Sequence, residues 1–418
     1  MSEPTNDQKP DLVESPEEAA SSGTLAARLS LSHRAGGVVV PVLTVVLAFL
    51  LGGLVVLATG HNPLLAYRDI FDGAGLNWIF HPTTNVQSSI AAYNLTQTLL
   101  QATTLIFTGL AVAFAFRCGM FNIGGEGQYL VGLVVANWIG VSFSGMSTLP
   151  HVLFAIIAAT LAGAAWAGIA GVLKATTGAH EVISTIMLNW IAIYTATWLF
   201  GAGGPLQTTA AGQSTNPVSN DIAHSAELPV IWGSKGFQGL DIGFFIAIAA
   251  LVVFWALINR TTLGYEVRAV GFNPDAAAYG GINVKKNVIR AMAISGAFAG
   301  LGGAVDMLGY LYHYGALDVQ NSAAGGVGFI GIAVALLGRN TAVGVFFGSL
   351  LFGGLIYGTT QGLSSNVIQP ELASNLTLII EGLVVLFIGA DLLILYVWNS
   401  RKRLRPQRRA QAPAKAAA

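Results

Sequence analysis

The sequence predicts an all-α integral membrane protein of about ten transmembrane helices, with the N-terminus and the C-terminus both cytoplasmic. Three observations predict it. Only 10% of the 418 residues are charged while 54% are hydrophobic. A soluble domain carries about 25% charged residues, so this chain cannot cover a globular surface with polar groups and needs lipid as solvent. Ten apolar stretches reach or approach the roughly 20 residues that a spanning helix requires. Lys and Arg fall on alternate sides of those stretches in the way that cytoplasmic loops demand.

Taken in order, residues 1–32 are acidic, polar and rich in Pro and Ser ("MSEPTNDQKPDLVESPEEAASSG"). Such a segment buries too little apolar area to offset its chain entropy, so a disordered cytoplasmic tail is expected. Its acidity and the late first apolar run argue against a cleaved signal peptide. The membrane domain is expected over residues 33–398. Its spans fall near Val38–Thr59, Ala91–Phe116, Phe121–Val141, Val152–Lys174, Glu181–Phe200, Asp241–Asn259, Val288–Tyr310, Ala323–Gly338, Thr341–Thr360 and Ala373–Trp398. The eighth is short and glycine-rich. With the N-terminus inside, all 20 Lys and Arg lie on the cytoplasmic side except Arg68 and Lys235. Residues 62–90 and 201–240 are then external, the second a Gly-, Pro-, Asn-, Ser- and Thr-rich loop over the outer mouth. Residues 260–287 form the long cytoplasmic loop. Residues 399–418, with "RKRLRPQRR", form a basic cytoplasmic tail suited to fixing topology and meeting anionic membrane lipid. No nucleic-acid partner is expected, because nothing else in the chain supports one.

Much chemistry is excluded. Cys118 is the one cysteine, so there is no intramolecular disulfide and no cysteine-based metal site. No G-x-x-x-x-G-K-[ST] cradles a nucleotide phosphate, and no paired-histidine spacing suggests a metal. Gly326-Val-Gly328-Phe-Ile-Gly331 fits G-x-G-x-x-G, but it opens a membrane span rather than a strand–helix turn and reads as helix packing. No catalytic constellation stands out, so the chain is not expected to be an enzyme, and passage across the membrane is the expected function.

Polar residues inside the spans carry that function. "FNIGGEGQYLVG" (Phe121–Gly132) puts Asn122, Glu126 and Gln128 among four glycines. Ionisable groups in spans face protein or water, and small residues let helices approach closely. The three side chains therefore either tie helices together or line a path. In the second span Asn94, Gln97, Thr98, Gln101, Thr104 and Thr108 share one helical face, a water-filled route or a hydrogen-bonding seam. In the fifth, Trp190, Tyr194 and Trp198 form a ladder suited to membrane anchorage or to stacking on a planar ring, and Asn189 lies deeper. "GLAVAFAFRC" (Gly109–Cys118) and "GIAVALLGRN" (Gly331–Asn340) echo each other in Gly, Ala, Val, Ala and Arg, by repetition or by chance. In the cytoplasmic loop "GYEVRAVGFNPDAAAYGGINVKK", Asn273 can cap a helix, Pro274 fits its first turn, and Gly280 and Gly281 end it. The short helix that results is either a rigid handle for a separate motor or an ordinary interfacial turn.

"FNIGGEGQ", "HEVISTIMLNW", "RAVGFNPDAAAYGGI", "ISGAFAGLGGA" and "GFIGIAVALLGRN" together resemble the permease subunits of bacterial ABC uptake transporters of the branched-chain amino acid, ribose and nucleoside class. The similarity covers roughly Leu99–Leu395 and is greatest to the nucleoside (simple-sugar-like) branch, to which "HEVISTIMLNW" points. Gly125 departs from it, since a larger apolar residue is usual there. The resemblance implies an ABC importer permease fold in the bacterial cytoplasmic (inner) membrane, translocating a nucleoside or a simple sugar such as ribose or galactose. It implies a second homologous permease, an ATP-binding subunit with two nucleotide-binding halves, and a lipoprotein or periplasmic solute-binding protein as partners. Cofactors would be absent from this chain, with ATP and Mg on the partner ATPase. The polar residues within the spans give the candidate substrate pathway: Asn94, Gln97, Gln101, Asn122, Glu126, Gln128, Asn189 and Tyr194. ATPase coupling would fall to Arg268, Asn273, Pro274, Asp275, Ala277, Tyr279 and Gly281. The competing expectations are an ion-coupled secondary transporter relaying protons through Glu126, Glu181, Glu381 and Asp391, and a passive channel or scaffold.

Overall fold

The computed structural model describes residues 41–83, 85–86, 89–208, 217–234, 238–316, 318–319 and 326–362, with 375, 378–380, 382–384 and 386–387. The tails 1–32 and 399–418, Glu381, Asp391 and most of the tenth expected span lie outside the described residues. The chain divides into two units, Met1–Val46 with Asp391–Ala418, and Leu47–Ala390. Of the first, the described residues are the opening turns of helix α1 (Pro41–Ala58); everything below concerns the second.

Among the described residues seven helices are long and apolar enough to cross a membrane: α1, α3 (Ile90–Arg117), α5 (Thr148–Thr177), α6 (Glu181–Phe200), α7 (Gly243–Arg260), α10 (Val284–Asp306, continuing to Leu311) and α12 (Ala342–Gly362). Between them lie α2 (Pro63–Gly73), α4 (Gly125–Ser142), the hairpin strands β1 (Val230–Trp232) and β2 (Leu240–Asp241), α8 (Thr262–Phe272), α9 (Pro274–Tyr279) and α11 (Val327–Leu337).

Local chemistry starts several of these helices. Ser89 Oγ accepts the N–H of Ala92 at the head of α3. Asn283 Oδ1 accepts that of Lys286 at the head of α10. Asn62 Oδ1 accepts that of Leu64, with Pro63 in the first turn of α2. Each cap satisfies a donor that the helix itself leaves unpaired.

Helix α3 is apolar and buried on all sides, as expected of a helix at the centre of a bundle. Helix α10 packs closely on two neighbours. A Cβ on Gly296 would sit 2.2 Å from the carbonyl oxygen of Gly163 in α5, and one on Gly303 would sit 2.2 Å from that of Tyr129 in α4. Glycines in "ISGAFAGLGGA" thus let three backbones touch, which replaces the hydrophobic driving force that lipid cannot supply. Gly296→Val is expected to force α10 off α5, a backbone collision that no rotamer relieves and that costs about 3 kcal/mol or more. The readout is loss of the monodisperse peak of detergent-solubilised protein; a wild-type profile would contradict the packing.

Two expected spans differ from the structure. The third, Phe121–Val141, begins as a helix only at Gly125. Its leading residues run back alongside α3: Asn122 Nδ2 donates to Ser295 Oγ, which donates to the carbonyl of Ala111. Ala111 lies six residues before Arg117, about 9 Å back along α3. Of the eighth, Ala323–Gly338, the described residues form the 11-residue helix α11, about 16 Å long against a hydrocarbon core of about 30 Å; residues 323–325 lie outside the described residues.

The two echoing segments lie side by side. A Cβ on Gly331 would meet Thr108, and one on Gly109 would meet Val334. At their ends Arg117 donates through Nε and Nη2 to the carbonyl of Asn340, at 2.9 and 2.7 Å. A cation at the C-terminal end of α11 suits the helix dipole.

Residues 217–234 lie across the ends of α4 and α10. Ile222 N–H donates to Tyr312 O, Leu228 N–H to Leu308 O, and Ala223 N–H to Gly140 O. The hairpin closes this strip through the pairs Val230–Asp241 and Trp232–Leu240.

Candidate functional site

Glu126 lies in the first turn of α4 and is 1% exposed. Its Oε2 accepts the N–H of Gly328, in the first turn of α11, at 2.8 Å. The carboxylate therefore sits between the N-termini of two helices, where the dipoles favour negative charge. Gly326 and Gly328 make this possible. A Cβ on Gly326 would sit 2.2 Å from Oε2, and one on Gly328 would sit 2.2 Å from the Glu126 nitrogen. At Gly125 a Cβ would make only ordinary contact, 3.6 Å from Gly328 Cα, so the departure from the larger residue usual there leaves room rather than filling a need.

Asn122 and Gln128 pair through both amides: each Nδ2 or Nε2 donates to the other's oxygen at 2.9 Å, and Asn122 Oδ1 also accepts Gly124 N–H. Asn189 reaches in from α6, accepting Gly127 N–H and donating to Ile123 O, both at 2.8 Å. Backbone that leaves the helix inside a membrane must have its polar groups met by protein. Asn122, Gln128 and Asn189 meet them, and the result is a hydrogen-bonded knot joining α3, α4, α6 and α10.

On α3, Asn94 and Gln97 are buried and Gln101 is half-buried. Gln97 Nε2 donates to the carbonyl of Gln238 near the hairpin, and Thr98 Oγ1 donates to that of Ala74. Gln97 and Thr98 are thus tied to neighbouring backbone. Tyr194 is placed differently. Trp190, Tyr194 and Trp198 are 45%, 68% and 64% exposed, with the first two rings stacked 5.9 Å apart. The ladder stands on the outer surface of the helix bundle, apart from the knot.

In the segment 260–287, α8 and α9 meet at Asn273, whose Oδ1 accepts the N–H groups of Asp275 and Ala276, both at 3.0 Å. Pro274 fills the first position of α9, and Gly281 takes φ +84° after its end. Ala277 alone among these residues is buried; Arg268, Asn273, Pro274, Asp275, Tyr279 and Gly281 are exposed. Phe272 is 94% and Tyr279 98% exposed. Two aromatic side chains thus stand in the open on a rigid, capped corner. Beneath it a cleft of about 440 Å³ is lined by Cys118, Pro274, Lys285 and the Lys174–Glu181 ion pair, which is 2.7 Å long. Cys118 is buried, and burial pushes its thiol up to about 12.

The sequence reading missed a second polar centre. Asp306, at the end of α10, is 1% exposed and accepts hydroxyl hydrogen bonds from Thr104 of α3 and Tyr129 of α4, each at 2.7 Å. The signal was present, since an ionisable residue within a span is a functional candidate by default. Thr104 falls on the polar face of α3, but Asp306 stands at the end of a long apolar run.

Residues 94–389 match the family described as branched-chain amino acid transport system / permease component. The chain is 38% identical over 375 residues to the guanosine ABC transporter permease protein NupP of Bacillus subtilis, covering 89% of this chain and 98% of that one. It is 34% identical over 366 residues to the nucleoside ABC transporter permease protein NupB of Lactococcus lactis, covering 87% and 94%. To the glucose ABC transporter permease protein TsgB13 of Haloferax volcanii it is 33% identical over 362 residues, covering 83% and 86%. No solved structure matches the chain. The family match opens within α3 and runs past α12, the relatives align over nearly their whole lengths, and seven helices among the described residues are long and apolar enough to cross a membrane; the chain is a multi-pass membrane protein that belongs to the branched-chain amino acid transport system permease component family.

Proposed function

We propose that this chain is the permease subunit of an ATP-driven importer that carries a nucleoside across the cytoplasmic membrane. The observation that carries the reading is 38% identity along 98% of a guanosine permease. On this reading the chain pairs with a second, homologous permease and hydrolyses nothing itself. ATP and Mg are held by a separate subunit with two nucleotide-binding halves, and a lipoprotein or periplasmic binding protein delivers solute from outside. Ten membrane passages with both termini cytoplasmic are supported by the Lys and Arg distribution. The exposed corner at Phe272–Tyr279 is the docking element for the ATPase: Asn273, Pro274 and Gly281 fix its shape, and Arg268 and Asp275 offer charge. Solute passes along the polar face of α3, with Asn94, Gln97 and Gln101. The Asn122–Glu126–Gln128–Asn189 knot is the joint that holds the inner end together as access alternates. Tyr194, on the outward face of α6, borders the path only where the second permease covers it.

A simple sugar is the second reading, favoured by 33% identity to a glucose permease. The two are separated by uptake into proteoliposomes holding this chain, its partner permease, the ATPase and the binding protein. Guanosine and other nucleosides are expected to accumulate in an ATP-dependent way, with ribose, galactose and glucose at background. Sugar accumulation with nucleosides at background would reverse the assignment.

A further inference from the structure

We propose that Asp306, together with Asp241, receives the vicinal hydroxyl groups of the transported solute. The inference rests on the importer reading above and adds the place on this chain where a sugar ring is recognised.

The observations are geometric. Asp306 Oδ2 is held by two hydroxyl donors, Thr104 Oγ1 and Tyr129 Oη. Its Oδ1 is buried and has no hydrogen-bond partner among the described residues. Asp241, also 1% exposed, uses Oδ1 to accept Gly243 N–H at 2.6 Å and leaves Oδ2 buried and without a partner. Asp306 ends α10, and Asp241, at the end of β2, lies against the wide turn that follows it. A Cβ on Gly309, three residues after Asp306, would sit 2.3 Å from Asp241 Oδ2. Neither carboxylate forms an ion pair with a Lys or Arg among the described residues. The backbone is unusual at the same place. Directly after Asp306 the helix widens over Met307–Leu311, and Tyr312 follows at φ +60°. Wide turns and left-handed non-glycine residues gather at functional sites.

Two buried carboxylate oxygens without donors among the described residues are costly in a membrane protein, and a transported solute can supply those donors. The chemistry of the site narrows the class. Oδ2 of Asp306 is already matched to hydroxyl donors, and among the described residues no group of three or more His, Cys, Asp or Glu gathers there to hold a metal ion. A vicinal diol brings two O–H donors on adjacent carbons, one for each open oxygen. The ribose of a nucleoside and the ring of a simple sugar share that feature. Residues 217–234 cover the site from outside through the Leu228–Leu308 and Ile222–Tyr312 backbone bonds, and solute reaches it when those bonds part.

The test compares guanosine with 2′,3′-dideoxyguanosine in proteoliposomes containing the full importer, for wild type and Asp306→Asn. Selectivity set by the binding protein is common to both and cancels. Wild type is expected to prefer guanosine, and Asp306→Asn is expected to shrink that preference about tenfold, the range for a hydrogen bond to a charged group, with insertion and assembly unchanged. An unchanged preference overturns the proposal. If Asp306→Asn does not assemble, Tyr129→Phe carries the test: a preference reduced about threefold supports the proposal, and the wild-type ratio overturns it. Sodium-dependent uptake that becomes sodium-independent in Asp306→Asn, with the diol preference intact, also overturns it in favour of a cation. If wild type carries galactose and no nucleoside, the nucleoside reading fails by itself, and galactose against its 2,3-dideoxy analogue then decides the role of Asp306 by the same criterion.

Discussion

Replacing both Phe272 and Tyr279 with serine is expected to weaken retention of the ATPase subunit on the detergent-solubilised importer at least tenfold. The two rings are almost fully exposed on this chain, so their removal takes no packing from the fold. Aromatic residues that become buried at an interface commonly contribute about 2 kcal/mol or more each, and about 1.4 kcal/mol is already tenfold in a dissociation constant. The melting temperature of the isolated chain should stay at the wild-type value, because α8 and α9 keep their Thr261 and Asn273 caps. Undiminished retention of the ATPase by the double variant would remove this corner from the docking surface.

Glu126→Ala should give the second large effect, on stability. The substitution leaves Gly328 N–H without its acceptor inside the membrane and takes negative charge from between two helix N-termini. A hydrogen bond to a charged group contributes about 1.5–3 kcal/mol, and a buried helix-terminus charge up to about 2 kcal/mol, so about 3 kcal/mol is at stake. Glu126→Gln keeps an acceptor and loses the charge, and should fall between alanine and wild type. Thermal unfolding of the solubilised chain, followed by size-exclusion chromatography, reads the order directly. Equal melting temperatures for all three would mean that the junction of α4 and α11 does not depend on this carboxylate, and Glu126 would then have to be explained by solute or proton contact.

How far the sequence carries depends on whether a feature is fixed locally. Helix α6 spans Glu181–Phe200 as its apolar run predicts. The corner at Asn273 follows from an Asn cap, a Pro in the first turn and two closing glycines, all within nine residues. The start of α4 is fixed by partners far along the chain. Asn189 is 66 residues from Ile123, Ser295 is 173 from Asn122, and Gly328 is 202 from Glu126. No window of sequence contains those bonds, so a continuous span was the natural expectation and the backbone running back beside α3 was not. The Glu126 case is instructive in the same way: glycines beside a carboxylate signalled close approach, but only the fold shows that what approaches is the N-terminus of another helix. The polar face of α3 was legible from spacing alone, while its most consequential contact, Thr104 to Asp306, joins residues 202 apart.

The central claim is that this chain moves solute by coupling to an ATPase through residues 273–281. The most direct measurement is solute-stimulated ATP hydrolysis by the reconstituted importer with its binding protein, for wild type and for a variant in which Asn273–Gly281 is replaced by a flexible linker. The account predicts stimulation by nucleosides in wild type and none in the linker variant, with the chain inserted equally in both. Gradient-driven uptake by this chain alone, with no ATPase bound and no effect of the linker, would contradict it.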